Sequence, residues 1–185
     1  PYLSMGLGTT ETVKLQGNSL EVDGSLTLTG GITFPKPFFE LYVEANTSPT
    51  VCATQNTWYK VLTAGSVLNP ASQSFTSDAT GRITCGATMP RYYHTGVTIS
   101  GYPSTNSDIN WQFSLFKNGA QVQGSIVTLH TTNTSYRYST AIHSIVKMTK
   151  DDYIELYVRC SDSAGQNFVM SYINCFGMSL PNSTM

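Results

Sequence analysis

Charge is what this sequence has least of. Lys and Arg number 10 and Asp and Glu 11 in 185 residues, so charged side chains are 11% of the chain, against about 25% in an ordinary soluble domain. With a net charge of −1 there is no basic excess to neutralise phosphates, and nucleic acid is not expected as a partner. No apolar run approaches the roughly 20 residues of a membrane span, so no membrane insertion is expected. The N-terminal residues lack the positive region and long apolar stretch of a secretory signal. A chain that starts at Pro1 is what removal of an initiator Met would leave, and an intact cytosolic product is the expectation. The four cysteines, Cys52, Cys85, Cys160 and Cys175, lack the paired spacing of a zinc or redox site. They are expected as reduced, buried thiols, and the sequons at Asn46, Asn133 and Asn182 as unmodified.

Catalytic signatures are missing as well. There is no phosphate loop, no dinucleotide fingerprint and no nucleophile paired with a histidine. His94, His130 and His143 stand singly in strand-like runs, and Asp151-Asp152 has the character of a turn opening, since adjacent residues diverge and rarely ligate one ion. No catalytic residue, no metal site and no cofactor is expected, and the chain is not expected to be an enzyme.

What the chain does contain is aromatic and β-branched residues in short alternating runs, broken by Gly, Asn, Pro and Ser. With 11 Tyr, 8 Phe and 2 Trp a core is available, and an all-β fold follows. From about Thr12 to Gly31 the pairs Val13/Leu15, Leu20/Val22 and Leu26/Leu28 alternate with turn residues. Each such short strand exposes an apolar row that about 20 residues cannot bury alone. Beyond Pro35-Lys36-Pro37, strands are expected at Phe38–Glu44, Thr57–Leu62, Gly81–Thr88, Tyr92–Ser100, Ile109–Lys117, Ala120–His130, Tyr136–Met148, Tyr153–Cys160 and Phe168–Leu180. Asn118-Gly119 supplies the two positive φ values of a tight hairpin. In Tyr153–Cys160, Ile154, Leu156, Val158 and Cys160 share one face.

Several segments together resemble a known family: Met89-Pro90-Arg91-Tyr92-Tyr93-His94, Phe113-Ser114-Leu115-Phe116-Lys117-Asn118-Gly119, Met148-Thr149-Lys150-Asp151-Asp152-Tyr153 and Asn174-Cys175-Phe176-Gly177-Met178-Ser179-Leu180. Their order and spacing are similar to the jelly roll of the tumour necrosis factor and complement globular-head superfamily over about residues 38–180. Two positions depart from it: Arg91 stands where Gly is usual, and Lys150 precedes the Asp where Gly is usual. The resemblance implies an antiparallel jelly-roll sandwich that forms a homotrimer, with Phe39, Tyr42, Tyr157, Tyr172 and Phe176 at the head interface. The stretch Val13–Gly31 resembles the Gly-Ser-Leu-Thr-Leu-Thr-Gly repeats in stems of bacteriophage fibres and trimeric virion appendages. It implies a short trimeric β stem packed through Val13, Leu15, Leu20, Val22, Leu26 and Leu28.

The expected organisation is therefore residues 1–32 as an N-terminal arm and stem and residues 33–185 as the jelly-roll head. Together the two resemblances imply a viral structural protein on the outer surface of a tailed-phage virion, assembled in the host cytoplasm: a head decoration, or cement, protein. The arm would hold the major capsid protein or another virion protein through Tyr2, Leu3, Met5 and Leu7. The alternative is a receptor-binding tip or short fibre that recognises host surface glycans, for which the loop residues Tyr102, Asn106 and Asp108 offer an aromatic plane beside amide and carboxylate groups. A secreted cytokine-like ligand is the third reading, disfavoured by the missing secretion features.

Overall fold

The computed structural model describes residues 37–105 and 108–180. The arm and stem positions Tyr2, Leu3, Met5, Leu7, Val13, Leu15, Leu20, Val22, Leu26 and Leu28, and the loop residue Asn106, lie outside the described residues. Within them the chain forms thirteen strands: β1 (Phe38–Val43), β2 (Pro49–Cys52), β3 (Tyr59–Lys60), β4 (Val67–Leu68), β5 (Phe75–Ser77), β6 (Ile83–Cys85), β7 (Arg91–Pro103), β8 (Ile109–Lys117), β9 (Ala120–Gln121), β10 (Val127–Thr131), β11 (Tyr138–Met148), β12 (Tyr153–Cys160) and β13 (Gln166–Ser179). They build two antiparallel sheets. One has six strands in the order β11-β7-β13-β1-β4, with β2 on the end of β13. The other has seven in the order β10-β8-β12-β6-β5, with β3 on β12 and β9 on β8. The all-β expectation holds, and strands distant in sequence pair because the chain crosses repeatedly between the sheets.

Alternation sets which side chains face inward. In β1, Phe39, Leu41 and Val43 point into the core, and in β12 Ile154, Val158 and Cys160 do so, as the pattern of that segment requires. Aromatic rings bridge the two sheets: Phe168 of β13 meets Trp111 and Phe113 of β8 edge-on, at 5.0 and 5.3 Å between centroids. Phe39 packs against Phe75 at 4.7 Å, and Phe75 in turn against Tyr93 at 5.3 Å. Rings in these tilted arrangements add to the burial of their area.

The β8–β9 hairpin turns at Asn118 and Gly119 with φ of 50° and 79°, the left-handed pair that their residue types favour. The Asp151-Asp152 segment is a turn. Asp151 takes a φ of 69°, and the Asp152 carboxylate accepts from the Thr149 backbone N–H at 2.9 Å and from Asn118 Nδ2 at 2.6 Å. Asn46 is buried: its Nδ2 donates to the carbonyls of Met170 and Leu62 at 3.0 and 3.1 Å, and its backbone N–H donates to the Ser171 carbonyl. These bonds satisfy the β13 backbone where its register on β7 slips between Met170 and Tyr172, and they occupy the amide that a glycan would need.

All four cysteines are free and buried. Burial pushes the Cys52 thiol up to about 11 and the Cys175 thiol up to about 12, and it raises Cys85 as well. Because the thiolate is the reactive form, the folded protein is expected to react negligibly with Ellman's reagent at pH 8. Four thiols should titrate once guanidinium unfolds it.

Candidate interaction face

The two outer faces differ in how well the chain covers them. On the seven-stranded sheet the exposed aromatics are satisfied internally. Tyr157 stacks on Phe116 at 4.1 Å and Trp58 meets the same ring edge-on at 5.6 Å, leaving Phe116 only 8% exposed. The guanidinium of Arg159 lies 4.6 Å over Trp58, and that of Arg82 lies 4.1 Å over Tyr153, the arrangement in which a cation meets the negative face of a ring. Beneath them the buried Glu155 accepts from Lys60 Nζ at 2.6 Å and Arg82 Nε at 2.9 Å.

Burial alone would raise the Glu155 carboxyl, but the hydrogen bonds and charges of Lys60 and Arg82 outweigh it and hold it below the usual carboxylate range. Hydrogen bonds and charge likewise lower Asp152, against the pull of burial. A carboxyl depressed by folding contributes stability that is fully present above its unfolded value, about 4.3 for Glu, and is lost as pH falls through its folded value. The melting temperature is therefore expected to fall steeply as pH drops below about 4. Glu155→Gln should cost about 1–3 kcal/mol at pH 7, since it leaves two cations without their partner, and should flatten that acid limb.

The six-stranded sheet presents a different surface. Side chains on its outer face are Phe38, Glu40 and Tyr42 of β1, Tyr172, Asn174, Phe176 and Met178 of β13, Tyr92 and His94 of β7, and His143 and Ile145 of β11; pairing sets Tyr42 beside Asn174 and Met178 beside His94. Tyr172 is 52% exposed, Tyr92 54%, Met178 59% and Ile145 61%. Met178, Tyr92 and Ile145 surround His94, with Tyr172 farther along β13, and so much open apolar area on one sheet face is a mark of an interaction surface.

Two features shape this face. Gly96 stands opposite Phe176 in the β7–β13 register, and a Cβ there would lie 2.5 Å from the Phe176 ring, so the ring lies flat across β7 only because the position is glycine. Glu40 is the carboxylate of the face. It accepts from Asn174 Nδ2 and Asn69 Nδ2, both at 2.9 Å, and these bonds lower its carboxyl, so it stays ionised and paired at neutral pH.

Of the five aromatics assigned by resemblance to the head interface, Tyr42, Tyr172 and Phe176 share this face. Phe39 does not: it is 1% exposed in the core, because it has the opposite parity to Tyr42 along β1. Tyr157 lies on the other sheet, against Phe116. The described residues of the candidate ligand loop each have a partner within the chain. The Tyr102 ring carries the Arg137 guanidinium at 3.8 Å, while Asp108 contacts His130 Nε2 of β10 at 3.2 Å. His94 and His143, 49 positions apart, meet on the outer face at 3.3 Å. No local signal reveals this pairing, because it depends on the β7–β11 register. Among the described residues no group of three or more His, Cys, Asp or Glu side chains is placed to hold a metal ion.

No protein-family model matches the chain, and no curated protein matches it in sequence. Solved structures do match. Phage PRD1 vertex protein P5 is similar with a TM-score of 0.52 at 15% identity, over 82% of this chain and 100% of that one. Looser likenesses, both with a TM-score of 0.47, are to Eiger TNF from S. frugiperda, at 18% identity over 80% of this chain and 96% of that one, and to the globular domain of zebrafish complement 1qA protein, at 12% identity over 76% and 95%. At such identities the likeness concerns the fold: the chain is an all-β antiparallel jelly roll of the kind these proteins share.

Proposed function

We propose that this chain is the jelly-roll head of a virion surface protein, self-associated as a homotrimer and attached to the particle by its N-terminal segment. The observation that carries the reading is the uncovered apolar face around Tyr172, Phe176, Met178, Ile145 and Tyr92, on a fold similar to a phage vertex protein. Burying these side chains between copies gains roughly 25 cal/mol per Å² of apolar area. The opposite face needs no such partner, because its rings already stack within the chain. On this reading Tyr42, Tyr172 and Phe176 are interface residues, Val13 to Leu28 continue the association as a stem, and Tyr2, Leu3, Met5 and Leu7 grip the major capsid protein. Three attached copies strengthen weak individual contacts by raising effective concentration, and a protein that binds only the assembled shell stabilises it. The role is structural and requires no catalysis.

The test is co-sedimentation of the full chain with virus heads stripped of accessory proteins, with host cells as the parallel target. Saturable binding to heads, lost when Leu3 and Leu7 are both changed to Asp, is the expected result. Binding to cells alone would replace decoration by receptor recognition through the loops.

A further inference from the structure

The histidine pair has a geometry that the structural role leaves unused. β7 and β11 are adjacent antiparallel strands whose register sets His143 opposite Gly96 and His94 opposite Ile145. The two imidazoles are thus diagonal neighbours on one face. Nε2 of His94 lies 3.3 Å from Nδ1 of His143, with the rings 22° from parallel. Gly96 places no side chain between them, and Phe176 meets the His94 ring edge-on at 6.0 Å and 89°, which orients it. Neither ring has another hydrogen-bond partner among the described residues. His130 differs, being engaged at both nitrogens, by Asp108 Oδ1 at 3.2 Å and Asn110 Oδ1 at 3.1 Å.

Two imidazole nitrogens bound to one tetrahedral zinc at about 2.0–2.1 Å stand about 3.3–3.4 Å apart. We infer that His94 and His143 form a chelating site for one divalent transition-metal ion of the class that prefers imidazole, zinc(II) being the probe of choice. The ion takes the lone pairs of His94 Nε2 and His143 Nδ1. In the metal-free pair one of these nitrogens carries the proton of their hydrogen bond. On metal binding that proton moves to the other nitrogen of the same ring, so that both facing nitrogens offer a lone pair to the ion. Water fills the remaining coordination positions. Both rings turn slightly to aim their lone pairs at a common point, which their surface position allows. This revises the expectation of no metal site, which rested on sequence spacing: the ligands come from two strands, and only their pairing joins them. Both ligands belong to one chain, and His94 pairs with Ile145 and Met178 inside the face proposed to lie between copies, so zinc binding and self-association are expected to compete.

The experiment is calorimetric titration of the full chain carrying Tyr172→Asp, in which that face is open, with zinc chloride, together with nitrogen NMR of the imidazoles. One ion per chain should bind saturably in the micromolar range, and the resonances of His94 and His143 should move while those of His130 stay. His94→Gln and His143→Gln should each weaken binding by about tenfold or more, with unchanged melting temperature, and His130→Gln should leave it unaltered. No saturable binding below millimolar zinc would overturn the inference. So would a site that survives both substitutions, as zinc held by the cysteines would, or one that His130→Gln abolishes.

Discussion

Tyr172→Asp is expected to convert the associated protein to single chains at micromolar concentration. Tyr172 is half exposed on the uncovered face, next to Asn174 along β13 and diagonal to Tyr42 across the β1–β13 pair. Truncating a tyrosine that acts as an interface hot spot costs about 2 kcal/mol or more, and a threefold assembly repeats the change at three sites. About 6 kcal/mol corresponds to roughly a 10⁴-fold fall in the association constant. Aspartate adds a like-charge repulsion between copies and a desolvation cost. The side chain faces away from the core, so the melting temperature of the isolated chain should change little. Sedimentation velocity of parent and variant reads the effect. An unchanged sedimentation coefficient would place the interface elsewhere.

Trp111→Ala should produce the largest loss of stability. Trp111 is fully buried, packs edge-on against Phe168, and donates from Nε1 to Thr131 Oγ1 at 3.1 Å. Removing a buried Trp side chain costs about 3–5 kcal/mol, combining lost transfer energy with the cavity left behind. The Thr131 hydroxyl, itself fully buried, loses a donor but keeps its own bond to the Ile109 carbonyl at 3.3 Å. Against a total stability of about 5–15 kcal/mol the loss is large. With a urea slope of about 2 kcal/mol per molar, the unfolding midpoint should fall by roughly 2 M. Trp111→Phe keeps most of the buried area and should lose about half as much.

The main strands were legible because their residues alternate cleanly. Ile109–Lys117 and Tyr153–Cys160 match the structure at both ends, and Asn118-Gly119 identifies its own turn. Three strands carry no such signal. Pro49–Cys52, Val67–Leu68 and Phe75–Ser77 are two to four residues long, too short for a period to emerge, and exist because neighbouring strands offer free backbone groups. Ala120–His130, expected as one strand, is two. Gly124 turns the chain at a φ of 78°, and the buried Ser125 hydroxyl bonds to the Val122 carbonyl at 2.8 Å and accepts from the Leu115 N–H at 3.1 Å.

The site was less legible than the fold. Alternation shows which residues share a face but not which parity faces inward, and the family pattern assigned Phe39 and Tyr42 the same role across opposite parities. The burial of Phe39 against Phe75 resolves that choice. The meeting of His94 with His143 depends on strand register over 49 residues, which composition and spacing do not encode.

A trimeric head requires that further copies of the chain cover the outer face of the six-stranded sheet. Sedimentation equilibrium of the full chain at micromolar concentration tests it most directly. The prediction is a particle of three chain masses that persists in about 1 M salt, where charge interactions are screened within about 3 Å, because the contacts are apolar. A single chain mass across that range would contradict it.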